Sequence, residues 1–86
     1  MVTILITHDV DDVQHWLASP HRGPAFGSVG FTVRTFVDPT SDRRVGLVAE
    51  GSSLDQLQQL IASSEAAEVM KLDGVRPDTI VTYVQG

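Results

Sequence analysis

Residues 7–23, THDVDDVQHWLASPHRG, hold all three histidines of the chain, three of its aspartates and its only tryptophan. Imidazoles and carboxylates crowded in this way are the raw material of metal centres and proton relays. A metal centre needs three or four converging ligands with a supporting shell. If a helix follows the first aspartates, Asp11 and His15 stand at i, i+4 on one face, and Val13, Trp16 and Leu17 form the apolar face opposite. His8 precedes that helix and His21 lies beyond Pro20, so the three imidazoles diverge and no metal is expected. Asp11 and His15 then read as a solvated surface pair, with half a metal site as the functional alternative.

His8 stands apart from the other two. Counting by two from Ile4 and Ile6 places it on their face of a strand, so it is predicted to be buried. Burial there lowers the imidazole pKa and keeps the ring neutral. A neutral imidazole serves as a general base or donates a hydrogen bond to a ligand oxygen. The structural alternative is a histidine that bonds its neighbouring loop and shapes the turn.

Other side chains could complete a pocket. Trp16 belongs at a helix–sheet interface, as core or as pocket wall. Phe26 sits in a Gly- and Pro-rich stretch, where it either folds over a pocket mouth or anchors the loop. Phe31 opens the next strand as a further wall. Arg34 shares the face of Phe36 and is expected to pair with Glu50 across a hairpin, with recognition of a ligand carboxylate or phenolate as the second reading. Tyr83, in the last strand, is a candidate orienting group. The segments GSSL and GSVG lack the flanking pattern of a nucleophile elbow, and no phosphate or dinucleotide loop is present.

The elements that must position these residues are legible from pattern. VTILITH, residues 2–8, is apolar on both alternating sets and reads as a strand covered on both sides. Asp9 or Asp11 is expected to cap a short helix reaching about Ser19 and stopped by Pro20. Residues 20–30 read as a loop with a helical turn near Pro24–Gly27. FTVRTFVD and RRVGLVAE, residues 31–38 and 43–50, form a hairpin around PTSD. Ser53 and Gln56 fit a capping box, with Leu54, Leu57, Leu60 and Ile61 at helical spacing behind it. Ser63 or Ser64 restarts a second segment that Gly74 stops, and residues 78–85 form the last strand. The order β-α-β-β-α-β predicts a ferredoxin-like α+β sandwich, with four antiparallel strands and both helical regions on one face.

Eighty-six residues make a single domain, residues 1–86, which buries only about 60–65% of its unfolded surface. Without cysteines it has no disulfide or thiolate chemistry, so a ligand or a partner subunit is the remaining staple. The net charge of −5 and the scattered cations argue against nucleic-acid or anionic-membrane partners. No apolar run approaches membrane-spanning length. The N-terminus does not read as a signal peptide, so the cytoplasm is the expected compartment.

The chain resembles the dimeric α/β-barrel superfamily, near the small antibiotic-biosynthesis-monooxygenase-like and cyclase-like proteins. The resemblance covers nearly the whole chain. It rests on ILITHDV, a first strand ending in His, and on DDVQHW, an acidic helix start with a Trp. It rests also on the hairpin VRTFVDPTSDRRVGLVAE and the segment SLDQLQQLIASSEAAEVM after it. It implies a homodimer whose two sheets face each other, with a pocket in each subunit between sheet and helices. The haem-degrading branch ligates haem through a His in the second helical region, and no His follows His21 here. The cyclase branch uses a His and Tyr pair, for which His8 and Tyr83 are the available residues.

The function implied is small-molecule chemistry on an aromatic or polyketide-like compound, as a cofactor-independent monooxygenase or a cyclase. No cofactor is expected, because an electron-rich phenolate itself supplies electrons to oxygen. A non-catalytic metabolite-binding or assembly module is the alternative. A pocket of about 300 Å³ or more would favour the former. Apolar residues on both parities of the strands predict a homodimer formed through the sheet face that the helices leave bare, where Val33 is a candidate contact.

Overall fold

The computed structural model describes residues 1–86 and is built around β1, Val2–Val10. Its alternation is strict: Ile4, Ile6, His8 and Val10 are buried on one face, while Leu5 and Asp9 turn to the other. Antiparallel neighbours flank it on both edges, β3 (Arg44–Gly51) and β4 (Val75–Val84), and β2 (Thr32–Val37) lies outside β3. The resulting order, β2-β3-β1-β4, is that of a ferredoxin-like sheet.

Pairings fix which residues share a face. Ile4, Ile6 and His8 oppose Ala49, Leu47 and Val45, and all six are buried. Leu5 opposes Val48 on one side and Tyr83 on the other, on the bare face. In β2, Val33 opposes Ala49 and packs against the core, so it faces the helices rather than a partner subunit. The parity count was right and the face assigned to Val33 was not, because alternation alone does not say which side the helices take.

Four helices cover the inner face. α1 is Val13–Leu17, α2 Arg22–Gly27, α3 Leu54–Ile61 and α4 Ser64–Leu72. The cap of α1 is Asp12, not Asp9 or Asp11. Asp12 adopts an extended backbone and its carboxylate accepts from the Gln14 and His15 amides at 2.9 and 3.2 Å. Asp9 still belongs to β1, and Asp11 receives Arg76 Nε at 2.9 Å. Ser53 and Ser63 cap α3 and α4 as the spacing predicts. α4 ends at Asp73, and Gly74 follows at φ +74°, a conformation that favours glycine.

Two backbone details set up the site. Phe31 lies on Gly51 so closely that a Cβ there would sit 2.6 Å from the ring. In the β1–β4 ladder, Thr7 pairs with Val81 but Asp9 pairs with Arg76, so residues 77–80 form a bulge opposite His8. Pro77 has no amide to donate at this break. The Asp9 amide instead donates to Thr79 Oγ1 at 2.8 Å, and that hydroxyl donates to the Arg76 carbonyl at 2.6 Å. β4 begins at Val75, three residues before the start expected at residue 78, and carries Pro77 within it.

Candidate functional site

A cavity of about 100 Å³, partly open to solvent, lies between the inner sheet face and the helices. Ile6, His8 and Leu47 form its floor, Trp16 and Phe26 come from α1 and α2, and Leu60, Val69 and Met70 come from α3 and α4. Twelve of its fifteen lining residues are hydrophobic, so His8, Arg22 and Asp73 are its only ionisable groups. The β4 bulge brings Ile80 to the wall beside His8.

His8 is held by its strand and by Trp16, which meets it edge-on with ring centroids 5.5 Å apart. Its Nδ1 lies 3.3 Å from the Asp9 carbonyl oxygen. A carbonyl only accepts, so this contact places the proton on Nδ1 and leaves Nε2 with its lone pair. No buried side-chain nitrogen or oxygen is sealed without a partner, so Nε2, which bonds no protein atom, is not sealed off, and His8 lines the cavity. Burial pushes the imidazole pKa below its ordinary value; the Asp9 carbonyl opposes this and the Arg22 guanidinium reinforces it. A neutral ring with an accessible lone pair can accept a proton from a bound molecule.

Arg22 was not singled out by its sequence context. Its guanidinium lies over the Trp16 ring, with Cζ 4.0 Å from the centroid. Nη2 donates to the Trp16 carbonyl and is 4.0 Å from Asp73 Oδ2. Asp73 Oδ1 in turn lies 3.6 Å from His21 Nδ1. Burial lowers the Arg22 pKa and Asp73 raises it; a guanidinium stays charged throughout the physiological range. HRG gives no periodic signal of burial, and the only available hint was a Trp six residues earlier.

The remaining candidates separate. Trp16 and Phe26 line the cavity, while Phe31 is core over Gly51. Arg34 and Tyr83 lie on the bare face, away from the cavity. Arg34 makes the expected pair with Glu50, at 2.9 Å, but in an exposed position. Asp11 and His15 do not pair: His15 Nε2 donates to the Leu72 carbonyl at 2.7 Å and Asp11 holds Arg76. The three imidazoles thus have three separate environments.

No family model and no curated protein matches the chain. Solved structures do. A Bordetella bronchiseptica protein assigned to the antibiotic biosynthesis monooxygenases aligns with a TM-score of 0.73 at 15% identity, over 99% of this chain and 94% of its own. A point variant of SnoaB, a cofactor-independent oxygenase from Streptomyces nogalater, aligns at 0.69 and 14%, over 99% and 90%. A dimeric protein of unknown function and ferredoxin-like fold from Bacteroides fragilis aligns at 0.52 and 13%, over 98% and 93%. Identities this low carry the fold: the chain has the ferredoxin-like fold of antibiotic-biosynthesis-monooxygenase-like structures.

Proposed function

We propose that this chain, sharing its fold with the cofactor-independent oxygenase SnoaB, is a cytoplasmic small-molecule protein whose cavity performs proton-transfer chemistry on an electron-rich aromatic compound. The observation that carries the reading is His8: its pKa lowered by burial, oriented by the Asp9 carbonyl, and lining an apolar cavity with Nε2 bonded to no protein atom. As a monooxygenase it would take a phenol to its phenolate by moving the proton to Nε2. The phenolate supplies the electrons to dioxygen; one oxygen atom enters the ring to give the quinone and the other leaves as water, with the phenolic and ring hydrogens. Neither metal nor flavin is needed for that balance. A cyclase would use the same base to form an enolate.

Oxygen uptake with dihydroxynaphthalenes tests this. The parent should consume oxygen and form quinone, and His8→Gln should keep its circular dichroism while slowing the reaction about a hundredfold or more. Equal rates would make His8 structural. The cavity volume favours a second reading: at about 100 Å³ it is smaller than the roughly 300 Å³ typical of drug-sized ligands, which suits a small metabolite bound without turnover. Ligand binding with no product would select that reading.

The same proposal places a second copy of the chain on the bare sheet face. Leu5, Phe36, Val81 and Tyr83 are exposed there around half-buried Val48. Covering roughly 800 Å² per subunit would give a gross apolar gain on the order of 10 kcal/mol or more before association costs. Sedimentation should give twice the 9.3 kDa chain mass, and Val48→Asp should dissociate it; a folded parent monomer at low micromolar concentration would remove the dimer.

A further inference from the structure

Arg22 is only 9% exposed, in a cavity otherwise walled almost wholly by apolar side chains. A charge in such a place is costly unless it is paired and hydrogen-bonded, yet its protein contacts with oxygen run through a single nitrogen. Nη2 donates to the Trp16 carbonyl, and the same atom lies 4.0 Å from Asp73 Oδ2, beyond hydrogen-bonding distance. A guanidinium carries five N–H donors, and Nε and Nη1 bond no protein atom. Since no buried side-chain nitrogen or oxygen is sealed without a partner, those donors are not sealed off, and the residue that carries them lines the cavity.

We infer that Arg22 is the anion-receiving group of this cavity, and that its ligands are compact apolar molecules bearing one oxyanion, a carboxylate or a phenolate. The inference rests on the reading of the cavity as a small-molecule site and narrows its ligand class. Three features support it. The guanidinium is already held over Trp16, with Cζ 4.0 Å from the ring centroid, so little freedom is lost when an oxyanion docks. Its planar fork suits two-point contact with an anionic oxygen group. His8 touches the edge of the same Trp16 ring, so one small molecule can reach both groups. For a phenol, the O–H bond breaks, the proton forms an N–H bond at His8 Nε2, and the charge left on oxygen is held by Arg22. For a carboxylate, Arg22 alone sets the orientation. Asp73 acts against both, because it is the one carboxylate in the cavity wall, and its distance from Nη2 leaves the fork unclosed.

Calorimetric titration of the parent with matched pairs tests the inference: benzoate against benzamide, and 4-nitrophenolate against 4-nitroanisole. Each anion should bind at least tenfold more tightly than its neutral partner, and the pair with the larger ratio identifies carboxylate or phenolate as the preferred group. Arg22→Gln should erase the preference, and Asp73→Asn should tighten anion binding several-fold by removing the opposing charge. Equal binding of anion and neutral partner by the parent would overturn the inference while leaving the small-molecule reading standing. Binding of none of the four would remove both. If Arg22→Gln fails to fold, the parent's ratios and the Asp73→Asn shift decide the matter.

Discussion

The two faces of one sheet hold their ionic groups in opposite ways. On the bare face Arg34 meets Glu50 at 2.9 Å and Arg44 meets Asp9 at 3.2 Å, but the Arg34 side chain is 65% exposed. On the covered face Arg22 and Asp73 stand 4.0 Å apart, with side chains only 10% and 7% exposed. The tight pairs lie where water screens them and are worth about 0–1 kcal/mol. The loose pair lies where screening is weak and each unmet hydrogen bond matters more. Separation alone therefore does not rank these pairs. Within a single subunit a short bridge on the bare face is a surface detail, and a long one on the covered face is unused binding capacity.

Substitutions on the two faces should sharpen that contrast. The largest effect is expected for Trp16→Ala: the ring is 1% exposed and supports both His8 and Arg22, so chemical denaturation should show a loss of about 3–5 kcal/mol. Glycines come next. Gly51→Ala drives a methyl into the Phe31 ring at 2.6 Å and should cost about 1–3 kcal/mol. Gly46→Ala, on the bare face, meets only ordinary contacts at 3.5 and 3.6 Å and should leave the denaturation midpoint unchanged or slightly raised.

The pH dependence is smaller. Because burial lowers the His8 pKa, the unfolded chain binds the proton first as pH falls. Stability from the neutral ring is therefore complete above about pH 6.5 and declines as pH drops from there through the lowered folded value, by at most about 1.4 kcal/mol per pH unit. His8→Gln should flatten that part of the stability profile measured by denaturation at several pH values; an unchanged slope would assign it to another group. Among the charged residues the smallest effect belongs to Arg34→Ala, expected to cost under about 1 kcal/mol to the folded chain in the same assay.

Much of the fold was legible because its signals are local. Alternation placed Ile4, Ile6 and His8 together, and serine caps marked the starts of α3 and α4. The stretch around Pro24–Gly27 announced the helical turn that becomes α2. The site was legible only in part, because it is assembled across the chain. His8 and Trp16 could be anticipated from strand and helix periodicity, and Phe26 from its place in a Gly- and Pro-rich stretch. Arg34 and Tyr83 shared the right strands but the wrong face, since a period of two distinguishes faces without naming the covered one. Phe31 was rightly placed inward but is spent on Gly51. Arg22 and Asp73 were missed because a charged residue just before a helical turn, or at a helix end, ordinarily reads as solvated. Their burial follows from the start of α2 and the end of α4 coming together, with Arg22 over Trp16, which no spacing within either segment records.

The bulge in β4 also gives the fold a place to vary. Ladder pairing runs without interruption from Ile4–Val84 to Thr7–Val81, and resumes at Asp9–Arg76. Residues 77–80 bridge the interval with no rung of their own. A residue gained or lost there does not shift the register on either side, so the rest of the sheet keeps its alternation while the wall beside His8 moves in or out. Length variation, which elsewhere in a pair of strands would exchange inside for outside along the whole strand, is confined here to the edge of a cavity. Descendants of this chain could change the size of what they bind by insertion or deletion at that one point, without rebuilding the scaffold.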